Sequence, residues 1–204
     1  MIIRLGKQFH LAANLGKDIL ESGGLVIYPT ETSYGLGCKA TSRQALRKIF
    51  KIKKRDMNKK LPVIVADKKM ALAYFKLNKN AIKLIDKFMP GPLTLIAEAK
   101  NKMPPEIGGK KIAFRISSNK FASELSKAIN CPIASTSANI SGKGNIYEEK
   151  KLTQFYDFVD VIFSAGNLKK EKPSTIYDSI ENKMVRNGPI SKKIIEKTLG
   201  IKIG

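Results

Sequence analysis

Helical and extended signals take turns along this chain, and few folds accept that order. An amphipathic stretch over Phe9–Glu21 stops at Gly23-Gly24, and the apolar run Leu25–Tyr28 follows at once. That is the pattern of a helix closed by glycine and handing over to a buried strand. The alternation continues with a basic helix opened by Thr41-Ser42-Arg43-Gln44, a capping box whose apolar stripe is Ala45, Leu46, Ile49 and Phe50. A strand is expected over Pro62–Ala66, helices near Lys68–Lys76 and Ala81–Phe88, and strands over Leu93–Glu98 and Lys111–Ile116. A helix Lys120–Ile129, a strand Pro132–Ser135 and a helix around Glu148–Tyr156 come next. Short strands near Val159–Phe163, Ser174–Tyr177 and Met184–Arg186 precede a last helix, Ser191–Leu199. Alternation of this kind predicts an α/β sheet covered by helices. The late cluster of short strands adds antiparallel pairing, so the sheet is expected to be mixed. No repeat or linker divides the 204 residues, which form one domain over 1–204 with 191–204 as its C-terminal helix and tail.

Apolar runs are all far below the roughly 20 residues a membrane helix needs. Lys7, Lys17, Asp18 and Glu21 interrupt any signal-peptide core near the start. Only Cys38 and Cys131 are present, outside any CxxC pairing, which fits a reducing, cytoplasmic setting.

The formal net charge is +21, from 38 Lys+Arg against 17 Asp+Glu. Arginine accounts for only six of the 38: Arg4, Arg43, Arg47, Arg55, Arg115 and Arg186. Dispersed lysine speaks to solubility and nonspecific association. The arginines are more informative, because a planar fork makes paired hydrogen bonds to carboxylates and phosphates. Ten basic residues and one acid, Asp56, fall between Lys39 and Lys60. There Lys53-Lys54-Arg55 at a helix exit reads either as cations matched to the helix dipole or as a polyanion site. Composition does not decide whether such an anion would be a nucleotide or RNA.

Hydroxyl, amide and glycine residues gather after strands, where α/β proteins place ligands. One loop is Pro29-Thr30-Glu31-Thr32-Ser33-Tyr34-Gly35-Leu36-Gly37. Another is Ser135-Thr136-Ser137-Ala138-Asn139-Ile140-Ser141-Gly142, a cradle suited to anions. It is not a P-loop, since Ser137 and Gly144 stand where the pattern needs Gly and Ser or Thr. Lys172-Pro173-Ser174-Thr175 and Arg186-Asn187-Gly188-Pro189 are weaker signals, and Pro90-Gly91-Pro92-Leu93-Thr94 reads as a structural turn. No metal-ligand cluster is visible. His10 is the sole histidine and reads as an ordinary residue of the first helix, so no Ser/His or Cys/His nucleophilic set can be assembled. An enzyme with this inventory works by holding anions and polar groups in place, which suits phosphoryl and nucleotidyl transfer.

These loops, together with Lys53-Lys54-Arg55, Phe114-Arg115 and Pro173-Ser174-Thr175, run in one order over about residues 8 to 190. In that order they resemble the YrdC-like family, threonylcarbamoyl-adenylate synthases in the short form without an extra C-terminal domain. The resemblance implies a twisted, open, mixed sheet with a basic concave face. The implied reaction joins L-threonine, bicarbonate and ATP into L-threonylcarbamoyladenylate with release of pyrophosphate, the first step of threonylcarbamoyladenosine modification of tRNA. The family's tetrad falls on Lys53, Arg55, Ser137 and Asn139. ATP contacts would map to Arg55, Lys59, Lys111, Ser137, Asn145 and Arg186, and threonine contacts to Thr32, Arg115, Ser135 and Ser174. Mg²⁺ would arrive with ATP rather than in a protein cage. The same resemblance implies an RNA or tRNA contact on the basic concavity and a hand-off to other tRNA-modification proteins. The alternative reading is a noncatalytic module for double-stranded RNA or tRNA. Asp56, Lys60 and Ser117 stand where the family often has Pro, which bears on loop geometry.

Overall fold

The computed structural model describes residues 1–6 and 9–203. In chain order the elements are β1 (Ile2–Arg4), α1 (Phe9–Glu21), β2 (Val26–Pro29), β3 (Tyr34–Lys39), α2 (Arg43–Lys53) and β4 (Val63–Val65). There follow α3 (Lys68–Tyr74), β5 (Phe75–Lys76), α4 (Lys79–Phe88), β6 (Leu93–Ala99), β7 (Lys111–Ile116), α5 (Lys120–Ala128) and β8 (Ile133–Ser137). The chain closes with β9 (Val161–Ser164), β10 (Thr175–Asp178), β11 (Lys183–Arg186) and α6 (Lys192–Leu199). All the strands join one open sheet in the order β1-β9-β2-β3-β8-β4-β7-β6-β10-β11, with β5 beside β6. Pairs β1/β9, β2/β9, β4/β7 and β6/β10 are parallel and the others antiparallel, so the sheet is mixed as expected.

The two faces of this sheet are covered unequally. Side chains alternate across a strand. Leu36 and Cys38 of β3, Val63 and Val65 of β4, Leu93, Leu95 and Ala97 of β6, and Ile112, Phe114 and Ile116 of β7 point to one side. There they pack with Leu46, Ile49 and Phe50 of α2, Leu84 and Ile85 of α4, and Ile195 and Leu199 of α6 in the larger core. The opposite side is roofed only in part. Leu20 of α1 and Phe121, Ala122 and Leu125 of α5 cover Val26, Tyr28, Ile64, Ile133 and Phe163. Beyond that roof the intervening residues are Thr94, Arg115, Ser135 and Ser137, and the sheet is open there.

The structure departs from the sequence pattern in several places. Tyr34–Gly37, read as the end of a loop, belong with Cys38 and Lys39 to strand β3, antiparallel to both β2 and β8. Its glycines hid it. A Cβ on Gly37 would lie 2.8 Å from the Ala134 carbonyl and 2.9 Å from the Tyr28 ring, so glycine is what lets Tyr28 cross the strand. The helix around Glu148–Tyr156 is a 3-10 segment, Glu149–Phe155, and β1 and β5 are short strands the pattern does not reveal. The N-cap of α2 is Ser42 rather than Thr41, its hydroxyl accepting from the Ala45 N–H. His10 is exposed, stacked on Phe9, 3.8 Å from Glu124.

Among the described residues no helix is long and apolar enough to cross a membrane, and Cys38 and Cys131 are buried free thiols.

Candidate functional site

Three arginines have carboxylate partners away from the open part of the sheet. Arg4 pairs with Glu149, and Arg43 and Arg47 both face the buried Glu106 at 3.4 and 3.5 Å. The other three, Arg55, Arg115 and Arg186, line one cavity of about 310 Å³ on the open part of the sheet. Thr30, Thr32, Ser135, Ser137, Asn145 and Ser174 line it with them. Strand ends contribute most of this wall: Ser135 and Ser137 from β8, Arg115 from β7, Thr94 from β6 and Arg186 from β11.

Helix α2 ends in a way that separates two neighbours in sequence. Lys54 is its C-cap in the left-handed region, at φ 48°, a conformation that costs a non-glycine residue about 1–2 kcal/mol. The Arg55 N–H returns to the Phe50 carbonyl at 3.0 Å. This reversal turns Lys53 inward and Arg55 outward. Lys53 is 1% exposed. Its ammonium donates to the backbone carbonyls of Ser137 and Asn139, both at 2.5 Å, and to Asn139 Oδ1 at 2.9 Å. Asn139 Oδ1 also accepts from the Ser137 hydroxyl, and Asn139 Nδ2 donates to the Lys143 carbonyl. Lys53, Ser137 and Asn139 are thus one internal network that pins the loop after β8. Burial pushes the Lys53 ammonium down to about 8, with repulsion from Arg55 adding to it.

Arg55 is gripped by its own loop. Nε donates to the Lys59 carbonyl at 2.8 Å and Nη2 to the Lys60 carbonyl at 3.2 Å. Asp56, in the place of a usual proline, stiffens that loop by accepting from the Asn58 N–H at 2.9 Å, an Asx turn. Lys60 Nζ donates to the Met57 carbonyl at 3.0 Å.

Arg186 is held similarly, with Nε on the Ser174 carbonyl at 2.9 Å and Nη2 on its hydroxyl at 3.0 Å. Ser174 Oγ also meets Thr94 Oγ1 at 2.8 Å. Gly188 permits this close packing, since a Cβ there would lie 2.6 Å from the Pro173 carbonyl. Burial lowers both Arg55 and Arg186 from the usual arginine value, but guanidinium remains charged.

Arg115 is held differently. Among the described residues only its Nη1 is engaged, by the Glu31 carboxylate and at 3.5 Å by Thr32 Oγ1. Thr32 is fixed in turn by the hairpin turn between β2 and β3, where Thr30 Oγ1 donates to the Ser33 carbonyl at 2.7 Å and meets Thr32 Oγ1 at 3.1 Å.

Of the expected residues, Arg55, Ser137, Asn145, Arg186, Thr32, Arg115, Ser135 and Ser174 come together on the cavity wall. Lys53 and Asn139 lie behind it. Lys59 offers its carbonyl to Arg55, and its side chain is not part of the wall. Lys111 is outside the cavity, at the start of β7, with its ammonium on Glu181. Lys60, Thr94 and Thr136 also line the cavity; each lies in or beside a segment marked in the sequence, but none is among the expected contact residues. The wall carries no Asp or Glu, and no group of three or more His, Cys, Asp or Glu suited to a metal occurs among the described residues. The wall therefore offers Mg²⁺ no carboxylate ligands of its own. Cationic forks beside hydroxyls suit anions.

Comparisons with known proteins bear on the chain and its fold as a whole. The Sua5/YciO/YrdC family model, described as "Telomere recombination", matches residues 18–188. A Methanocaldococcus jannaschii protein named "Putative threonylcarbamoyl-AMP synthase" is 38% identical over 183 residues, covering 87% of this chain and 86% of that protein. The crystal structure of P. abyssi Sua5 complexed with L-threonine superposes with a TM-score of 0.92 at 30% identity over 100% of this chain. This chain spans 62% of that longer one. E. coli YciO, matched over 96% of this chain and 98% of its own, gives 0.83 at 25% identity. A family match across most of the sequence, a relative 38% identical over most of both chains and two solved relatives with high structural similarity lead to one conclusion: the chain belongs to the Sua5/YciO/YrdC family.

Proposed function

We infer that the chain is a threonylcarbamoyl-AMP synthase, acting in the pathway that makes threonylcarbamoyladenosine in tRNA. The observation that carries the reading is the set of three arginines converging on one hydroxyl-lined cavity, together with the 38% identical relative of that name. The substrates on this reading are L-threonine, bicarbonate and ATP. The threonine nitrogen forms a bond to the bicarbonate carbon with loss of water. A carbamate oxygen then bonds to the α-phosphorus of ATP, the bond from that phosphorus to the bridging oxygen breaks, and pyrophosphate leaves.

On this reading each side chain takes the task that the family resemblance implies. Arg115 takes the threonine carboxylate, with Thr32, Ser135 and Ser174 as polar neighbours. Arg55 and Arg186 face the phosphates, where charge builds up as pyrophosphate departs. Ser137 and Asn145 are hydrogen-bonding partners for ATP. Lys53 and Asn139 act from behind the wall, holding Ser137 in place. Magnesium accompanying ATP would be held by phosphate oxygens and water.

Pyrophosphate release measured with each substrate omitted in turn tests the reaction. Release should require all three substrates, and Arg55→Ala should lower it at least 100-fold, the usual loss when a transition-state anion partner is removed. Full release by Arg55→Ala would remove Arg55 from the catalytic set. Calorimetric titration should show L-threonine preferred over L-serine. Salt-sensitive RNA binding with no response to either threonine or ATP would instead favour the RNA-binding module.

A further inference from the structure

Arg115 differs from its two neighbours in which edge of the guanidinium is left free. Arg55 and Arg186 each spend Nε and Nη2 on oxygen acceptors. Arg115 spends Nη1, and among the described residues nothing meets its Nε or Nη2. A carboxylate binds most favourably to two parallel N–H groups on one edge of the fork. Arg115 keeps its Nε–Nη2 edge open, whereas Arg55 and Arg186 have theirs closed.

The choice of edge traces back to residues outside the cavity wall. The Glu31 carboxylate takes Arg115 Nη1 with one oxygen and the Ser117 hydroxyl with the other. Ser117 is 1% exposed and is fixed on two sides. Its Oγ accepts from the Asn119 N–H at 3.2 Å, and its carbonyl accepts from Ser123 Oγ at 2.9 Å. Asn119 is the N-cap of α5, so the anchor is the start of a packed helix. Because the guanidinium is planar and rigid, fixing Nη1 fixes the direction of the opposite edge. Glu31 also sets a negative charge beside Arg115, which otherwise has the repelling Arg186 as a neighbour.

We propose that Glu31 and Ser117 are positioning residues for amino-acid recognition: anchored on α5, they turn Arg115 so that its Nε–Nη2 edge receives the substrate carboxylate. This rests on the synthase reading above. It gives Ser117 a specific role, since proline at that position would supply no donor to Glu31.

The test is steady-state pyrophosphate release, with KM for L-threonine and for ATP measured separately. Glu31→Gln should raise the threonine KM about tenfold or more while the ATP KM moves less than about threefold, the pattern of lost ground-state binding to one substrate. Ser117→Ala keeps both charges and should raise the threonine KM about three- to fivefold; it carries the test if Glu31→Gln does not fold. Ser117→Thr, which keeps the hydroxyl, should restore it. Because Glu31 acts through Arg115, Glu31→Gln combined with Arg115→Lys should be no worse for threonine than Arg115→Lys alone. An unchanged threonine KM in both single variants, an equal rise in both KM values, or an additive double variant would overturn the proposal while leaving the synthase reading intact. A wild-type chain that neither binds L-threonine nor releases pyrophosphate would overturn both.

Discussion

Along β7, Ile112, Phe114 and Ile116 enter the larger core while Ala113 and Arg115 line the cavity. Along β6, Leu93, Leu95 and Ala97 do the first and Thr94 the second. Adjacent residues of the same strands therefore serve different ends. On the helix-covered face, buried apolar side chains gain about 1.5–3 kcal/mol each. On the open face, polar and cationic groups are tied to backbone carbonyls or to one another. Along these two strands apolar packing lies on one side of the sheet and the cavity on the other, with the pleat as the divider.

Substitutions at neighbouring positions test that division directly. Phe114→Ala should cost about 3–5 kcal/mol of unfolding free energy by leaving a cavity against Phe75. Its folded fraction should keep the wild-type threonine KM. Chemical denaturation and steady-state kinetics would read the two effects separately, and a large KM change would break the division.

Lys53→Met should disturb both regions, because the lysine belongs to α2 but its ammonium holds the loop after β8. Removing a donor from three buried acceptors costs on the order of 1–3 kcal/mol. Activity should fall by about 100-fold as Ser137 loses its support. Activity at the wild-type level would show that the loop holds itself.

Arg115→Lys keeps the charge and loses the fork. Its threonine KM should rise about 10- to 100-fold, with a change in unfolding free energy of about 1 kcal/mol or less.

The pH dependence separates the two faces with opposite signs. Burial lowers the Lys53 ammonium to about 8 from 10.5. Between those values the unfolded chain binds more protons than the folded one, so this group makes folding more favourable as pH rises. Its hold on the loop weakens over the same range as the charge is lost. The wild type should therefore lose kcat/KM for ATP above pH about 8 without a matching loss of stability from this group. A pH–rate profile beside denaturation curves would show it. The smallest effect is expected from Thr94→Val, which removes one hydroxyl from Ser174 and should cost about 0.5–1.5 kcal/mol with a modest shift in threonine KM.

Much of the fold was legible because periodicity registers burial. Phe9–Glu21 and Lys111–Ile116 were read at the bounds the structure gives them. Strand β3 was not, since Gly35 and Gly37 erase the alternation that marks a half-buried strand and leave only Tyr34, Leu36 and Cys38 to show it. The cavity was legible in the same measure. Arg55, Arg115 and Arg186 stood out as scarce arginines among many lysines, and the Ser137 loop as a run of short polar side chains. Lys111, matched by resemblance alone, lies at the far end of its strand on Glu181, whereas Lys60 reaches the wall from a loop whose shape depends on Asp56.

The sequence by itself determined the order of elements, the mixed sheet, and which arginines accompany the hydroxyl-rich loops. These follow from local periodicity and residue chemistry, which need no long-range contacts to be recognised. Only the tertiary structure decided which half of the second sheet face stays uncovered, and that Lys53 turns inward while Arg55 turns out. It alone brought the Glu31 carboxylate between Arg115 and Ser117. Those outcomes depend on distant segments meeting: residue 53 with 137 and 139, and residue 115 with 31. The direction of a side chain at such a meeting is fixed by three-dimensional packing and hydrogen-bond satisfaction, neither of which has a period along the chain.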